Sequence, residues 1–191
     1  MKRIQLPVDE ATIRSLRVGD EVSISGVMVT ARDAAHKYMI ENPAEEMRDL
    51  LRDSIIYHCG PVVRQMDGEW QFVSAGPTTS IREEPYQATV IGKFQVRGVI
   101  GKGGMGPKTA AGCKEHGAVY LHAVGGLGTS IAKSVKRVRD VLKLEEFGSP
   151  EAMWVIEVED FPAVVTIDAN GDSLHEKIEA ESAERLKRLL G

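Results

Sequence analysis

The chain has 191 residues, of which 42% are hydrophobic and 27% charged, with 24 basic against 28 acidic side chains. That length suits one well-cored domain and is short for two. A net charge of −4 without a long run of one sign excludes the basic footprint of a nucleic-acid or membrane-surface protein.

No apolar stretch approaches the roughly 20 residues that span a bilayer, and residues 1–7 lack the apolar core of a signal peptide. A cytoplasmic protein is therefore expected. Cys59 and Cys113 are the only cysteines. In that compartment they are expected to be free thiols, and two are too few for a cubane iron–sulfur cluster.

In chain order, residues 1–6 read as a strand and 9–17 as a short helix capped by Asp9. Residues 21–29 alternate polar and apolar with period two, the pattern of a half-buried strand. A helical stretch follows, with Pro43 near a helix start and Met47, Leu50 and Leu51 at helical spacing. Residues 55–59 predict a strand ended by Gly60-Pro61, and Asp67-Gly68 between two apolar runs predicts a hairpin.

Residues 94–100 read as a strand, 108–116 as a helix and 118–124 as a buried strand. Ile131, Val135, Val138, Val141 and Leu142 fall at helical spacing and predict a helix that turns Lys133, Lys136, Arg137 and Arg139 outward. Residues 154–158 and 163–167 predict two late strands. Residues 174–190 predict a terminal helix, with Leu174, Ile178, Leu186, Leu189 and Leu190 as candidate buried positions. The sum is mixed α/β rather than a pure alternation of strand and helix.

Reactive groups concentrate in three loops at strand ends. In the first, Thr30-Ala31-Arg32-Asp33-Ala34-Ala35-His36-Lys37, a guanidinium where a strand opens into a helix suits bidentate binding of a carboxylate. A surface Arg32–Asp33 contact that caps the helix fits equally well. In the second, Ala75-Gly76-Pro77-Thr78-Thr79-Ser80-Ile81-Arg82, hydroxyls and amides at a helix start plus an arginine one turn on make an anion site. A hydroxyl cap with a solvated arginine is the plainer alternative.

The third loop, Gly101-Lys102-Gly103-Gly104-Met105-Gly106, formally contains G-x-G-x-x-G between a strand and a helix. A dinucleotide site would need an acidic residue at the end of the next strand, and Gly125-Gly126 stand there instead. The better account is a lysine on a tight, side-chain-poor turn, free to meet an anion. Arg32, Arg82 and Lys102 repel one another unless an anion offsets their charge, which points to a dicarboxylate or phosphate.

Five segments in order carry a resemblance. They are Thr-Ala-Arg-Asp-Ala-Ala-His-Lys from Thr30, Ser-Ala-Gly-Pro-Thr-Thr-Ser-Ile-Arg from Ser74, Gly-Lys-Gly-Gly-Met from Gly101, His-Gly-Ala-Val-Tyr-Leu-His-Ala-Val-Gly-Gly from His116, and Glu-Ala-Met-Trp-Val-Ile-Glu-Val-Glu-Asp-Phe-Pro-Ala from Glu151. From about residue 20 to 175 the chain resembles the C-terminal domain or separate beta subunit of class I, iron–sulfur fumarases, with the tartrate dehydratase beta subunit a close relative.

The resemblance implies reversible hydration of fumarate to L-malate on a 4Fe-4S cluster held by a cysteine-bearing alpha subunit, with no cofactor or metal bound by this chain. It implies one swivelling β/β/α domain over residues 1–191, with mixed sheet layers and helices packed on one side. Arg32, Thr78, Thr79, Arg82 and Lys102 match the family's substrate-binding positions. Thr78 and Lys102 are the implied catalytic groups, Thr78 matching the proton-abstracting residue, and Asp33 is expected to orient Arg32.

His36, His58, His116, His122 and His175 read as structural polar groups, not metal ligands. The expected partners are the alpha subunit and a small dicarboxylate, with self-association an option for the isolated chain. A tartrate or other hydroxy-diacid dehydratase, or a non-catalytic anion-binding regulatory module, are the alternatives.

Overall fold

The computed structural model describes residues 1–42 and 45–190, apart from the Glu46 side chain; the helix start expected at Pro43 lies outside the described residues. The chain opens with β1 (Lys2–Gln5), α1 (Glu10–Arg14) and β2 (Glu21–Thr30). Asp9 caps α1, its carboxylate accepting from the Thr12 amide at 2.7 Å as expected. There follow α2 (Asp33–Glu41), α3 (Glu45–Leu51), β3 (Ile55–Tyr57) and a hairpin of β4 (Val62–Met66) and β5 (Glu69–Ser74). Asp67 and Gly68 both take positive φ at its tip, 53° and 83°, the turn that Asp-Gly favours because it matches the twist of the two strands.

A 3-10 turn (Ser80–Glu83) leads into α4 (Gln87–Phe94), β6 (Gly98–Gly101), α5 (Pro107–His116) and β7 (Val119–His122). The chain ends with α6 (Gly128–Ala132), β8 (Val135–Leu142), α7 (Leu144–Phe147), the 15-residue β9 (Met153–Ile167) and α8 (Leu174–Leu190). Strands β1, β2, β3, β6 and β7 run parallel in neighbouring pairs. Antiparallel β9 pairs with β7, β8 and β2, so β2, β3, β6, β7 and β9 form a ring that closes on itself.

Two apolar clusters lie on the two faces of this sheet. One gathers Ala35 and Met39 of α2, Leu51 of α3, Val90, Ile91 and Phe94 of α4 and Cys113 of α5 against Val29, Ile56, Val99 and Tyr120. The other packs Ile24, Tyr57, Ile100, Leu121, Trp154 and Phe161 beneath Trp70 and Phe72 of the hairpin, with Ile13 of α1 and Ile131 of α6 at its margin. The architecture is mixed α/β, with hairpin, sheet and helices in layers. The longer packed helices share one side, and the short α1 and α6 lie on the other. Among the described residues no helix is long and apolar enough to cross a membrane.

Four expectations are corrected. The helix expected over 131–142 is instead the one-turn α6 followed by β8. Against β9, the register of β8 shifts between Val135 and Arg137 and again between Val138 and Asp140. Each bulge inserts one residue, so the inward positions fall at 135, 138 and 141 and imitate a helical period. The strand expected over 94–100 begins only at Gly98, because Phe94 closes α4.

The two late strands are one, β9, whose pairing with β2 slips beside Asp160 at φ 51°. Finally, α8 buries none of its residues: Ile178, Leu186, Leu189 and Leu190 are 52%, 56%, 83% and 79% exposed. Amphipathic spacing specifies an apolar face on a helix, but not the surface that covers it.

Candidate functional site

Parallel strands β2, β3, β6 and β7 deliver their C-terminal ends to one rim of the ring, the end at which parallel α/β sheets, closed or open, bind ligands. Arg32 follows β2, His58 and Cys59 follow β3, Lys102 follows β6, and His122 ends β7. Backbone bonds knit these ends together. The Ala31 amide donates to the Tyr57 carbonyl at 3.0 Å, Thr78 to His58 at 2.7 Å and Ser80 to Lys102 at 3.0 Å. Thr79 and Lys102 form an isolated parallel bridge. The three loops singled out in the sequence therefore meet on this rim.

Arg32 is half-buried, and one of its terminal nitrogens lies 3.2 Å from Glu151, while its buried Nε has no partner. Gly60 makes room for it, since a Cβ there would stand 2.7 Å from Arg32 Nη1 and 2.9 Å from the Pro150 carbonyl. Arg82 is exposed and ion-pairs with Asp33. The expected role of Asp33 is thus corrected: it holds Arg82, and Glu151 holds Arg32. Asp33 opens α2 with its side chain turned toward the second loop, whereas Arg32 is the cap residue in extended backbone.

Lys102 is half-buried and, among the described residues, its ammonium enters no ion pair. Thr79 stands at the start of the 3-10 turn but makes no side-chain cap bond, which removes the hydroxyl-cap alternative for it. A groove of about 590 Å³ lined by Tyr38, Met47, Leu50, Val141 and Leu142 includes none of the three cations.

The G-x-G-x-x-G loop holds an internal anion. Glu84 accepts from the amides of Gly106 at 2.8 Å, Lys108 at 2.9 Å and Thr109 at 3.3 Å, and from the Thr109 hydroxyl at 2.6 Å. The N-terminus of α5, where a dinucleotide would place its pyrophosphate, is satisfied by the chain's own carboxylate.

Behind the cations lies a buried polar chain that the sequence reading did not anticipate. His36 Nδ1 donates to the Arg32 carbonyl at 2.9 Å, and its Nε2 lies 2.9 Å from the Gln87 amide oxygen. His58 Nε2 reaches the same oxygen at 2.8 Å, and His58 Nδ1 lies 2.9 Å from Ser80 Oγ, which also accepts from the Tyr120 hydroxyl at 2.9 Å. Burial holds both imidazoles below their usual range, and His58 is further depressed by His36.

Neutral rings that donate through Nδ1 present two Nε2 acceptors to Gln87, whose own amide nitrogen has no partner. A half-turn of that amide, which only exchanges its oxygen and nitrogen, gives each ring a donor. Gln87 lies on α4, the helix whose start the sequence pattern concealed, and that is why the network escaped notice.

Gly101 fixes where this chain meets the third loop, because a Cβ there would stand 1.8 Å from Ser80 Oγ. Gly101→Ala is expected to destabilise the fold by about 1–3 kcal/mol through overpacking, read as a lower urea midpoint. An unchanged midpoint would mean that Ser80 is not held as described.

Among the described residues the two cysteines stand apart. Cys59 and Cys113 belong to opposite apolar clusters, and burial pushes each thiol up to about 12, far from the thiolate that iron requires. Among the described residues no three His, Cys, Asp or Glu side chains gather to hold a metal.

Comparison with known proteins agrees with the resemblance of the loops. Residues 1–178 match the family model described as Fumarase C-terminus. The chain is 52% identical over 186 residues to a protein of Geobacillus stearothermophilus named "Putative fumarate hydratase class I", covering 97% of this chain but only 35% of that protein. It is 38% identical over 176 residues to the L(+)-tartrate dehydratase subunit beta of Escherichia coli (strain K12), covering 91% of this chain and 87% of that subunit. The chain belongs to the fumarase C-terminal family.

Proposed function

We propose that residues 1–191 act as one domain, the cluster-free beta subunit of a cytoplasmic iron–sulfur hydro-lyase that interconverts fumarate and L-malate. The observation that supports this reading is that backbone bonds join the 3-10 turn carrying Arg82, with Thr78 and Thr79 at its entry, to the strand ends that carry Arg32 and Lys102. Glu151 and Asp33 already offset Arg32 and Arg82, so a diacid would share those guanidiniums and meet Lys102 as the cation without an ion pair among the described residues.

Dehydration of malate takes a proton from the carbon beside one carboxylate and expels hydroxide from the next carbon. The electron pair left behind spreads into the carboxylate, so cations aimed there stabilise the transition state more than the ground state. In this reading Arg32, Arg82 and Lys102 grip the diacid, Thr79 donates a hydrogen bond to it, and Thr78 receives the proton with Lys102 lowering the cost of its alkoxide. The 4Fe-4S cluster, held by the cysteines of an alpha subunit, supplies Lewis-acid chemistry at the departing hydroxyl. This chain's own thiols do not fit such a cluster.

The beta subunit names among its relatives support an alpha partner. The same names keep a tartrate dehydratase as the second reading, since one added hydroxyl changes nothing in the grip on two carboxylates.

The test is anaerobic mixing of the chain with a cysteine-bearing alpha subunit, followed by assays on fumarate, malate and L(+)-tartrate. The chain alone is expected to be colourless and inactive, with activity appearing only in the pair. An active, iron-free preparation of this chain by itself, or a loaded pair inert toward every diacid, would overturn the proposal.

A further inference from the structure

Beneath Asp33 lies a group that the proposed reaction does not use. Glu83 is fully buried in the 3-10 turn that carries Arg82, and neither of its carboxyl oxygens finds a donor. Asp33 Oδ1 is likewise buried and unpartnered, while the other Asp33 oxygen holds Arg82. Asp33 and His36 share α2, Asp33 holds Arg82, the neighbour of Glu83, and His36 Nδ1 lies 3.5 Å from Glu83 Oε2, so the two carboxyl groups are neighbours.

A buried carboxylate beside the buried oxygen of a second one leaves acceptors without donors and charges in repulsion. A single proton between them removes both defects. His36 does not remove them: its Nδ1 hydrogen is engaged by the Arg32 carbonyl, and Nδ1 lies 3.5 Å from Glu83 Oε2.

We infer that Glu83 is a neutral carboxylic acid that donates its hydrogen to Asp33 and so fixes the carboxylate that holds Arg82. It is a positioning residue acting through Asp33 on Arg82, and its bearing on turnover rests on the hydro-lyase reading. With Glu83 neutral, Asp33 keeps one full negative charge, one oxygen on the buried acid and one on the guanidinium. Arg82, on an exposed turn, thereby takes a defined direction before any substrate arrives. The charged groups that face Glu83 are Asp33, Glu151 and Arg82, together with the neutral His36.

The balance of these groups agrees with the geometry. Burial, the Asp33 bond and the charges of Asp33 and Glu151 raise Glu83 to about 9 against the opposing pull of Arg82. Burial also pushes Asp33 upward, but the bonds from Glu83 and Arg82 outweigh it and leave it below its usual range. A group whose folded value is raised keeps its proton below that value and loses it above. The hydrogen bond is therefore intact at neutral pH and lost as the pH passes about 9.

Infrared spectroscopy of the full chain tests this directly. At neutral pH a protonated-carboxyl C=O band is expected that is missing in Glu83→Gln, shifts in Asp33→Asn and fades as the pH passes about 9. Absence of the band in the wild type, or its survival in Glu83→Gln, would overturn the assignment. In the enzyme reconstituted with its alpha partner, Glu83→Ala is expected to raise KM about tenfold, the factor for one lost charge-assisted hydrogen bond.

Glu83→Gln, which still offers an N–H to Asp33, is expected to rescue that loss and to lack the alkaline step. A merely structural Glu83 would lower stability in Glu83→Ala without this KM effect or rescue, which would refute the positioning role. The band is read on the chain alone, so its presence alongside an inactive pair would sustain the hydrogen bond and refute the hydro-lyase reading instead.

Discussion

If the chain is the proposed hydro-lyase subunit, replacing Arg82 or Lys102 by alanine is expected to cut turnover of the reconstituted pair by about 10²–10³-fold, the scale found when one electrostatic stabiliser of a developing anion is removed. The two side chains reach the site differently, and the substitutions should show it. Arg82 is exposed and already paired with Asp33, so a substrate carboxylate must share the guanidinium or draw it away. Arg82→Ala also frees Asp33, leaving a carboxylate that repels a diacid, and both KM and kcat are expected to suffer.

Lys102 has no ion pair to break among the described residues, and it is held by backbone alone through its bridge to Thr79 and its carbonyl bond from Ser80. Its removal leaves no neighbour uncompensated in the free chain. Lys102→Ala is expected to fall chiefly on kcat, with unfolding midpoints unchanged. Both effects are read by steady-state kinetics on fumarate and malate beside urea melts of the isolated chain. Near-normal kinetics in both variants would remove these residues from the mechanism.

The three cation-bearing loops were legible because each is a break in a strong pattern. A period-two strand runs into Arg32, small residues interrupt the second arm of a hairpin before Arg82, and glycines halt a buried strand at Lys102. Such breaks carry information even without a partner in view. What joins one break to another was not legible. Asp33 is adjacent to Arg32 in sequence, yet it bonds Arg82, 49 positions away, and the partner of Arg32 is Glu151. Contacts of that separation are set by the pairing of β2, β3 and β6, which no local pattern encodes.

The misread elements have separate local causes. In β8 two bulges stretched a strand period toward a helical one. At the end of α4 the left-handed cap is Gln95, at φ 54°, where glycine is the usual signal. With no glycine to mark the stop, Phe94 merged with the following Val96 and Val99 into an apparent strand. The missed helix carries Gln87, and with it went the buried chain of His36, His58 and Ser80. The acid role inferred for Glu83 was hidden for another reason. Burial alone separates it from Glu84, a charged cap on α5, although the two are neighbours in sequence.

Trp154→Ala is expected to destabilise the chain by about 3–5 kcal/mol, the cost of deleting a large buried aromatic ring. Trp154 is fully buried in β9, and two hairpin side chains stand edge-on to its ring, Trp70 at 5.2 Å and Phe72 at 5.9 Å between centroids. Its indole N–H donates to the Ser149 carbonyl at 2.9 Å. Removing the ring therefore opens a cavity, loosens the hairpin and frees the segment that carries Glu151, the partner of Arg32.

Urea unfolding measures the first effect, and hydrogen exchange the second, with β4 and β5 amides exchanging faster than those of β3 or β6. Trp154→Phe separates packing from hydrogen bonding. It keeps most of the ring contacts but cannot reach Ser149, so it should retain much of the stability while still loosening Arg32. A Trp154→Ala loss below about 1 kcal/mol, the level of an ordinary surface change, would mean that the hairpin layer is not anchored through this residue.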